Sequence, residues 1–538
     1  MELNDEVEAP CNYPPNLFDL SDLVHTNSLL VDLGCPVRRL AHKPGRCGYR
    51  FSNRNAVEQT LKEGAVQSEA ETHSMFKILR ESANANVADA IEAWVRDAPD
   101  HKLCRINVLD FASKAGLNEE QVIAAFLNAA RIGLFELSWN VLCPACGGVL
   151  DPNATLKTVR RERYECELCA AGYKVTLDEV IEVTFTVTPR VRTIAAHRPE
   201  TLSIWEYYRQ ILWSSGVDLP EGDAFERAME EAILDSVELP PGEKAILSLS
   251  LPAAHVVVFE PVTHAAQFLD VKGEPTRERQ SVSVVINNVH APTDSAQLHP
   301  GPVRLLFENR TNMRVLPAAW ITGTAIHRLL SRRKPFLTAK RLLSNQTFRE
   351  VYGTETLDVD QRLNITSLTF LFTDLKDSVA LYERIGDLAA HDLVRSHFHA
   401  LTRIVASEAG AIVRTIGDAV MATFPTPDRA VAAALRMRET MDKLNQEHKT
   451  DDLLLKIGIH EGPCLAVMEN GRQDYFGRAV NVAARVQDLA VSRAIFATES
   501  VVENPQTSML LEANNLRPVV KRTTLRGIAG EMMVYEIP

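Results

Sequence analysis

Two Cys-x-x-Cys pairs, Cys143-Pro-Ala-Cys146 and Cys166-Glu-Leu-Cys169, stand nineteen residues apart in a chain of 538 residues. No other feature restricts folding so tightly, because four thiolates drawn to one point hold two separate turns against each other. Four sulfurs suit a tetrahedral Zn²⁺ ion. They leave no coordination position open, so a structural zinc site is expected. Gly147 and Gly148 after the first pair, and Gly172 after the second, supply the backbone freedom such knuckles need. The other five cysteines, Cys11, Cys35, Cys47, Cys104 and Cys464, are scattered and read as buried or incidental thiols. The acidic start, MELNDEVEAPCNYPP, lacks the basic-then-apolar order of a secretion signal. No run approaches the ~20 apolar residues of a membrane span. A cytoplasmic protein is therefore expected, and a reducing compartment favours metal-bound thiolates over disulfides.

The rest of the chain divides by pattern into a multidomain α+β protein. Residues 1–140 form a helical N-terminal region, of which 1–70 carry no sustained period. MFKILRESANANVADAIEAWV has helical apolar spacing. INVLDFASKAGLNEEQVIAAFLNAARIGLFELSW gives two amphipathic segments meeting at Gly116-Leu117-Asn118, then an aromatic strand after Gly133. That order suits a winged helix-turn-helix, or equally an ordinary helical subdomain. With a formal net charge of −12 and few Lys or Arg residues over 103–135, nucleic acid is not an expected partner. Residues 141–175 are the zinc ribbon. From 176 to 325, alternating runs such as VIEVTFTVTPRV, EKAILSLSLP and SVSVVINN predict an antiparallel β-sandwich with a helical insertion over about 202–236. Residues 326–365, with the basic run from His327 to Lys334, read as a connector whose charges form a solvated helix face.

From Thr366 to Pro538 the pattern is strand, helix, strand, strand, helix, strand, a ferredoxin-like βαββαβ order. The strands are 367–374, 411–417, 419–424 and 453–462, and the helices about 378–409 and 428–447. Asp374 ends the first strand, and Asp418 lies in the hairpin between the next two. In this topology both carboxylates can face one point beyond the sheet end. Paired hard oxygen donors there suit Mg²⁺ or Mn²⁺, although Asp at a strand end also serves as a turn former.

FTDLKDSVALYERIGD, VRTIGDAVMATF, KIGIHEGP and DYFGRAVNVAARV follow the order and spacing of class III adenylyl and guanylyl cyclases, and the resemblance covers about 170 residues. The upstream half, with its CPAC knuckle and the FREVYG…LTFLFTD junction, also resembles the N-terminal region attached to some bacterial cyclases. The cyclase resemblance implies a lyase that converts ATP to cyclic AMP and pyrophosphate with two Mg²⁺ or Mn²⁺ ions per active site. It implies that Asp374 and Asp418, with the Leu375 backbone beside them, hold the metals, and that the turn from Leu375 to Ser378 holds the triphosphate. Asn481 would orient the ribose, and Arg485 would stabilise charge at the α-phosphate. Arg526 stands where the family usually has a Lys that contacts terminal phosphates.

Two positions read the base. Arg414 falls where adenylyl cyclases usually carry Lys and guanylyl cyclases Glu, and Asp474 where adenylyl cyclases often carry Asp. ATP is the expected substrate. GTP, or a catalytically silent nucleotide-binding regulatory domain, is the alternative. Phe476 and Gly477 read as packing and a turn. The family shares its sites between subunits, so a homodimer with active sites at the interface is expected, regulated by the N-terminal half.

Overall fold

Asn84, Asn107 and Asn118 each open a helix with a side-chain oxygen accepting backbone N–H groups of the first turn: α1 (Ala85–Asp97), α2 (Val108–Ala115) and α3 (Glu119–Arg131). The structure, a computed structural model, describes residues 70–538 apart from 288–294, 323, 354–356, 359–360 and 491–492. The reading of residues 1–69, with Cys11, Cys35 and Cys47, lies outside them. Ser74–Pro538 form one compact unit, and the helical residues 70–73 precede it.

After α3 the chain enters β1 (Phe135–Leu142), which pairs antiparallel with β2 (Val149–Asn153) and β5 (Ile181–Val187). The knuckle strands β3 (Arg163–Cys166) and β4 (Ala171–Lys174) form a separate hairpin. β5 was expected in the sandwich. It goes to β1 instead because five consecutive residues of it are buried and need cover on both faces. The winged-helix reading loses its binding surface. The first turn of α3 is occupied by Arg341, whose guanidinium meets Glu119 at 2.6 Å and Glu120 at 2.7 Å.

Two further sheets follow. One has the order β10 (Gln280–Ile286), β12 (Gly301–Asn309), β7 (Lys244–Leu251). The other runs β11 (Ala296–Leu298), β9 (Ala266–Val271), β8 (His255–Phe259), β13 (Ala318–Ile321), β6 (Ile233–Ser236). Leu305 and Phe307 of the first share a core with Val256, Val258 and Leu269 of the second. The sheets are mixed rather than antiparallel, since β10 runs parallel to β12 and β11 to β9. Alternation in a sequence reports which face is buried, not the direction of the neighbouring strand.

The last sheet places β14 (Leu363–Leu375) between β16 (Ala419–Phe424) and β17 (Leu455–Glu469). β15 (Ala411–Ile416) lies outside β16, and β19 (Ile495–Thr498), β21 (Glu531–Ile537) and β20 (Val519–Thr524) lie beyond β17. β18 (Arg472–Phe476) pairs with the far half of β17. The expected helix 378–409 is broken at Gly386, whose φ of +78° ends α6 (Ser378–Ile385) before α7 (Asp387–Ser407) begins. Alternation along β14 sends Leu371 and Leu375 into the core under α7 and α8 (Pro427–His448). Phe370 and Phe372 point the other way, into a core shared with the N-terminal half.

That shared core corrects the connector. Leu337, Ala339, Leu342, Leu343 and Phe348 are all essentially buried, in and around α4 (Ala339–Leu343) and α5 (Gln346–Tyr352). The basic run is not a plain solvated face either. Arg332 pairs with Asp218, Arg333 donates to the Ala145 carbonyl and Lys334 reaches Asp110.

Candidate active site

Register decides where the two carboxylates fall. Thr373 of β14 lies opposite Val420 of β16, so Asp374 and the β15–β16 turn share one sheet end. There Asp418 Oδ2 accepts the backbone N–H of Leu375 at 3.2 Å. Leu375 buries its side chain, so it can contribute only through its backbone. Asp374 lies opposite Lys456, whose Nζ is 3.3 Å from Asp374 Oδ2. Two carboxylates at a solvent-reached strand end form a hard-oxygen donor set that fits Mg²⁺ or Mn²⁺, with phosphate and water completing the shell. The following helix α6 has no side-chain cap, so no side chain competes there with an anion for its first N–H groups.

The two positions that the cyclase resemblance assigns to the base also converge. Arg414 Nη1 donates to Asp474 Oδ2 at 3.0 Å, and Asp474 Oδ1 accepts the Tyr475 N–H at 2.7 Å. α5 holds the backbone on both sides of this pair. Arg349 Nη2 donates to the carbonyls of Val413 (3.3 Å) and Gln473 (2.9 Å), and Gln346 Oε1 accepts the Ile412 N–H (2.8 Å). These contacts from the N-terminal half carry no local sequence signal; only packing reveals them.

Asn481 and Arg485 lie one turn apart on the exposed side of α9 (Arg478–Asp488), whose other side buries Val482, Ala483 and Val486. Arg485 pairs with Asp488 at 2.9 Å. Arg526 is exposed in the turn between β20 and β21. Register places that turn at the end of the sheet away from Asp374, because Ile537, at the far end of β21, is the residue near Ile457. Among the described residues, no hydrogen bond or ion pair joins Asp374 and Asp418 to Arg414–Asp474, Asn481, Arg485 or Arg526. Phe476, read as packing, is 62% exposed beside α9.

The four cysteine sulfurs lie within 4.8 Å of one another. Cys143 Sγ to Cys169 Sγ and Cys146 Sγ to Cys166 Sγ are each 3.8 Å. A tetrahedron of sulfurs ~2.3 Å from a zinc ion has edges of about 3.8 Å. The cluster lies in a core with Trp213 and Val217. A Cβ at Gly147 (φ +71°) would come within 2.6 Å of the Val217 side chain, so glycine is required there both for conformation and for space.

Sequence reading missed three polar groups of the catalytic domain. Lys456 lies within the expected strand 453–462, and only register reveals its partner. His397 of α7 is buried against Met441, and burial pushes it down to about 4 while the Asp418 carboxylate and backbone pull the other way. His460 meets Thr498 Oγ1 at 2.8 Å and is likewise held at about 4, first by burial and then by Arg478. Between pH 6.5 and 4 the unfolded chain therefore binds a proton that folded His460 refuses, and stability falls as pH drops through that window. His460→Gln is expected to remove about 1 kcal/mol per pH unit of this slope. Urea melts at pH 6.5 and 4.5 check it, and parallel slopes for the two proteins would refute it.

Comparison with known proteins follows the same division. Residues 361–537 match the adenylate and guanylate cyclase catalytic domain, and residues 69–350, more than half of the chain, match a family of unknown function, DUF5939. The adenylate cyclase of Anabaena cylindrica is 29% identical over 185 residues, covering 32% of this chain and 36% of that protein. Adenylate cyclase 2 of Rhizobium meliloti (strain 1021) is 30% identical over 161 residues, covering 27% of this chain and 44% of that protein. The chain thus spans less than half the length of these relatives. The solved adenylyl cyclase CyaB from P. aeruginosa is 23% identical, over 33% of this chain and 96% of that one, with a TM-score of 0.30. No described helix is long and apolar enough to cross a membrane. The chain belongs to the DUF5939 family of unknown function and carries, over its last third, a class III nucleotide cyclase catalytic domain.

Proposed function

We propose that the protein is an adenylate cyclase that forms cyclic AMP and pyrophosphate from ATP, acts as a homodimer and is regulated by its N-terminal half. The observation that carries this reading is the meeting of Asp374 and Asp418 at one sheet end, joined through the Leu375 amide at 3.2 Å. Bound Mg²⁺ or Mn²⁺ would acidify the ribose 3′-hydroxyl and neutralise phosphate charge. The chain's own residues do the positioning. The carboxylates set where the α-phosphate lies, and the α6 N-terminus receives phosphate oxygens. Asn481 orients the ribose, and Arg485 supplies a fixed positive charge as the α-phosphate gains negative charge. The Arg414–Asp474 pair sets a donor beside an acceptor, as the adenine N1 and amino group require. The separation of Asp374 from Arg526 within one chain supports a second subunit completing the site.

The four-cysteine cluster is proposed to hold one structural Zn²⁺. Regulation is proposed to run through α5, whose Arg349 and Gln346 grip the strands bearing Arg414 and Asp474. Turnover of the full chain with ATP and with GTP, in Mn²⁺ and in Mg²⁺, tests the substrate. Cyclic AMP at a rate at least about tenfold above cyclic GMP is expected, since one well-placed hydrogen-bonding pair is worth ~1.4 kcal/mol or more. A preference for GTP would overturn the reading of Arg414.

A further inference from the structure

A cleft of about 900 Å³ opens in the N-terminal half, bordered by α1, α2, residues 209–222 and residues 332–334. Its volume lies within the range of small-molecule sites, ~300–1,000 Å³. In a chain of net charge −12 its lining is positive: Lys102, Arg105, Lys114, Arg209, Arg332 and Lys334 border it, against Asp110, Asp218 and Glu221. Lys114 and Lys334 share Asp110, Lys102 meets Glu221, Arg332 meets Asp218, and Arg209 turns to Glu206. Arg105 forms no direct ion pair among the described residues; its guanidinium donates to the Ile211 carbonyl and its charge acts on the buried Glu182. His101, also in the wall, lies below its ordinary value, first through burial and then through the positive charges of Arg209 and Lys102.

A second, independent observation points to an occupant. Gln210, Trp213 and Ser214 border the cleft, and their side-chain atoms Gln210 Oε1, Trp213 Nε1 and Ser214 Oγ are buried with no hydrogen-bond partner among the described residues. Their residues are 5%, 2% and 3% exposed. A buried polar atom left unpaired costs ~1–3 kcal/mol, and three such atoms in residues that border one charged cleft leave its wall with unmet hydrogen-bonding capacity. An occupant toward which these side chains turn, offering a hydroxyl to Gln210 and anionic oxygens to Trp213, Ser214 and the lining cations, would meet it. Three guanidiniums favour phosphate oxygens, which they can grip in pairs.

We infer that this cleft binds a phosphorylated small molecule of up to nucleotide size, and that its occupancy adjusts the cyclase domain through residues 332–352. The coupling rests on the proposed regulatory reading; the binding does not. The path is contiguous. Asn107 Nδ2 donates to the carbonyls of Ser215 and Pro335 (3.3 and 2.8 Å), so the cleft's rim is bonded to the segment that continues into α4 and α5. An anion that draws Lys334 or Arg332 from its carboxylate moves the segment ending at Arg349.

The test uses the full chain carrying Asp374→Ala, so that the cyclase site is disabled, titrated with ribose 5-phosphate, inorganic phosphate and, separately, citrate. Heat and the fluorescence of Trp94 and Trp213, both in the wall, report binding. Saturable binding of a phosphate is expected, weakened about tenfold or more by the added Lys102→Glu/Lys114→Glu pair. Both lysines are partly exposed, so an unchanged melt should show the fold intact. No binding by either phosphate, or binding that the charge reversal leaves unaltered, overturns the site. Binding of citrate alone overturns the phosphate assignment. Binding that leaves turnover of the unsubstituted enzyme unchanged removes the coupling and keeps the site, while binding to a protein that makes no cyclic nucleotide counts against the catalytic reading alone.

Discussion

Asp374→Ala is expected to lower cyclase turnover by about 1,000-fold or more, with little change in stability. Loss of a ligand that holds a charge-neutralising metal removes several kcal/mol of transition-state stabilisation, and ~4 kcal/mol corresponds to about a thousandfold. The fold should tolerate it, because the Asp374 side chain is about one-third exposed and its ion pair with Lys456 is of the kind worth ~0–1 kcal/mol. Asp418→Ala is expected to match that loss in activity and in addition to lower stability by about 1 kcal/mol, since the Leu375 N–H loses its acceptor. Turnover with ATP and urea melts of both variants make the check. Mixing Asp374→Ala subunits with Arg485→Ala subunits should restore part of the activity, because one of the two interfacial sites in the mixed dimer is then intact. Retained activity in either aspartate variant would remove the metal assignment; an unrescued mixture would remove only the shared site.

The second large effect concerns the cysteines. The protein as purified is expected to carry one Zn²⁺ per chain, and Cys146→Ser to carry essentially none. Structural zinc sites contribute folding energy directly, because the unfolded chain has no preformed site. Here the cluster joins the β1–β2 turn to the core containing Trp213, Val217 and Leu330. In Cys146→Ser, hydrogen exchange should therefore rise most over residues 141–235, while α7 and α8, which pack in a different core, keep their protection. Elemental analysis and exchange mapping decide it. A metal-free protein with native protection over 141–235 would show that the thiols close the core unaided.

Some of this was legible along the chain because the signal is local. Cys-x-x-Cys pairs set four sulfurs on two turns, and the structure draws those sulfurs to the edge length of a zinc tetrahedron. Asp374 and Asp418 could be placed because a βαββαβ order makes β14 and β16 neighbours. The two amphipathic segments meeting at Gly116-Leu117-Asn118 likewise became α2 and α3, because helical spacing is local.

Other features were illegible because they depend on residues far apart in sequence. An alternating strand does not name its neighbour, so β5 was assigned to the wrong sheet and the parallel pairs of β10 with β12 and β11 with β9 were missed. The segment 337–352 has the composition of a linker helix; only the approach of β1, α3 and β14 makes it a buried core element. Lys456 became a neighbour of Asp374 through strand register, and Arg349 a clamp on the strands bearing Arg414 and Asp474 through packing across 64 and 124 residues of chain. What the sequence carried by itself was the cyclase signature and the side chains of the proposed sites: four thiols in two pairs and two carboxylates. The tertiary structure decided what holds that chemistry in place, because register and packing are set by the burial of whole faces and no single stretch of chain contains that information.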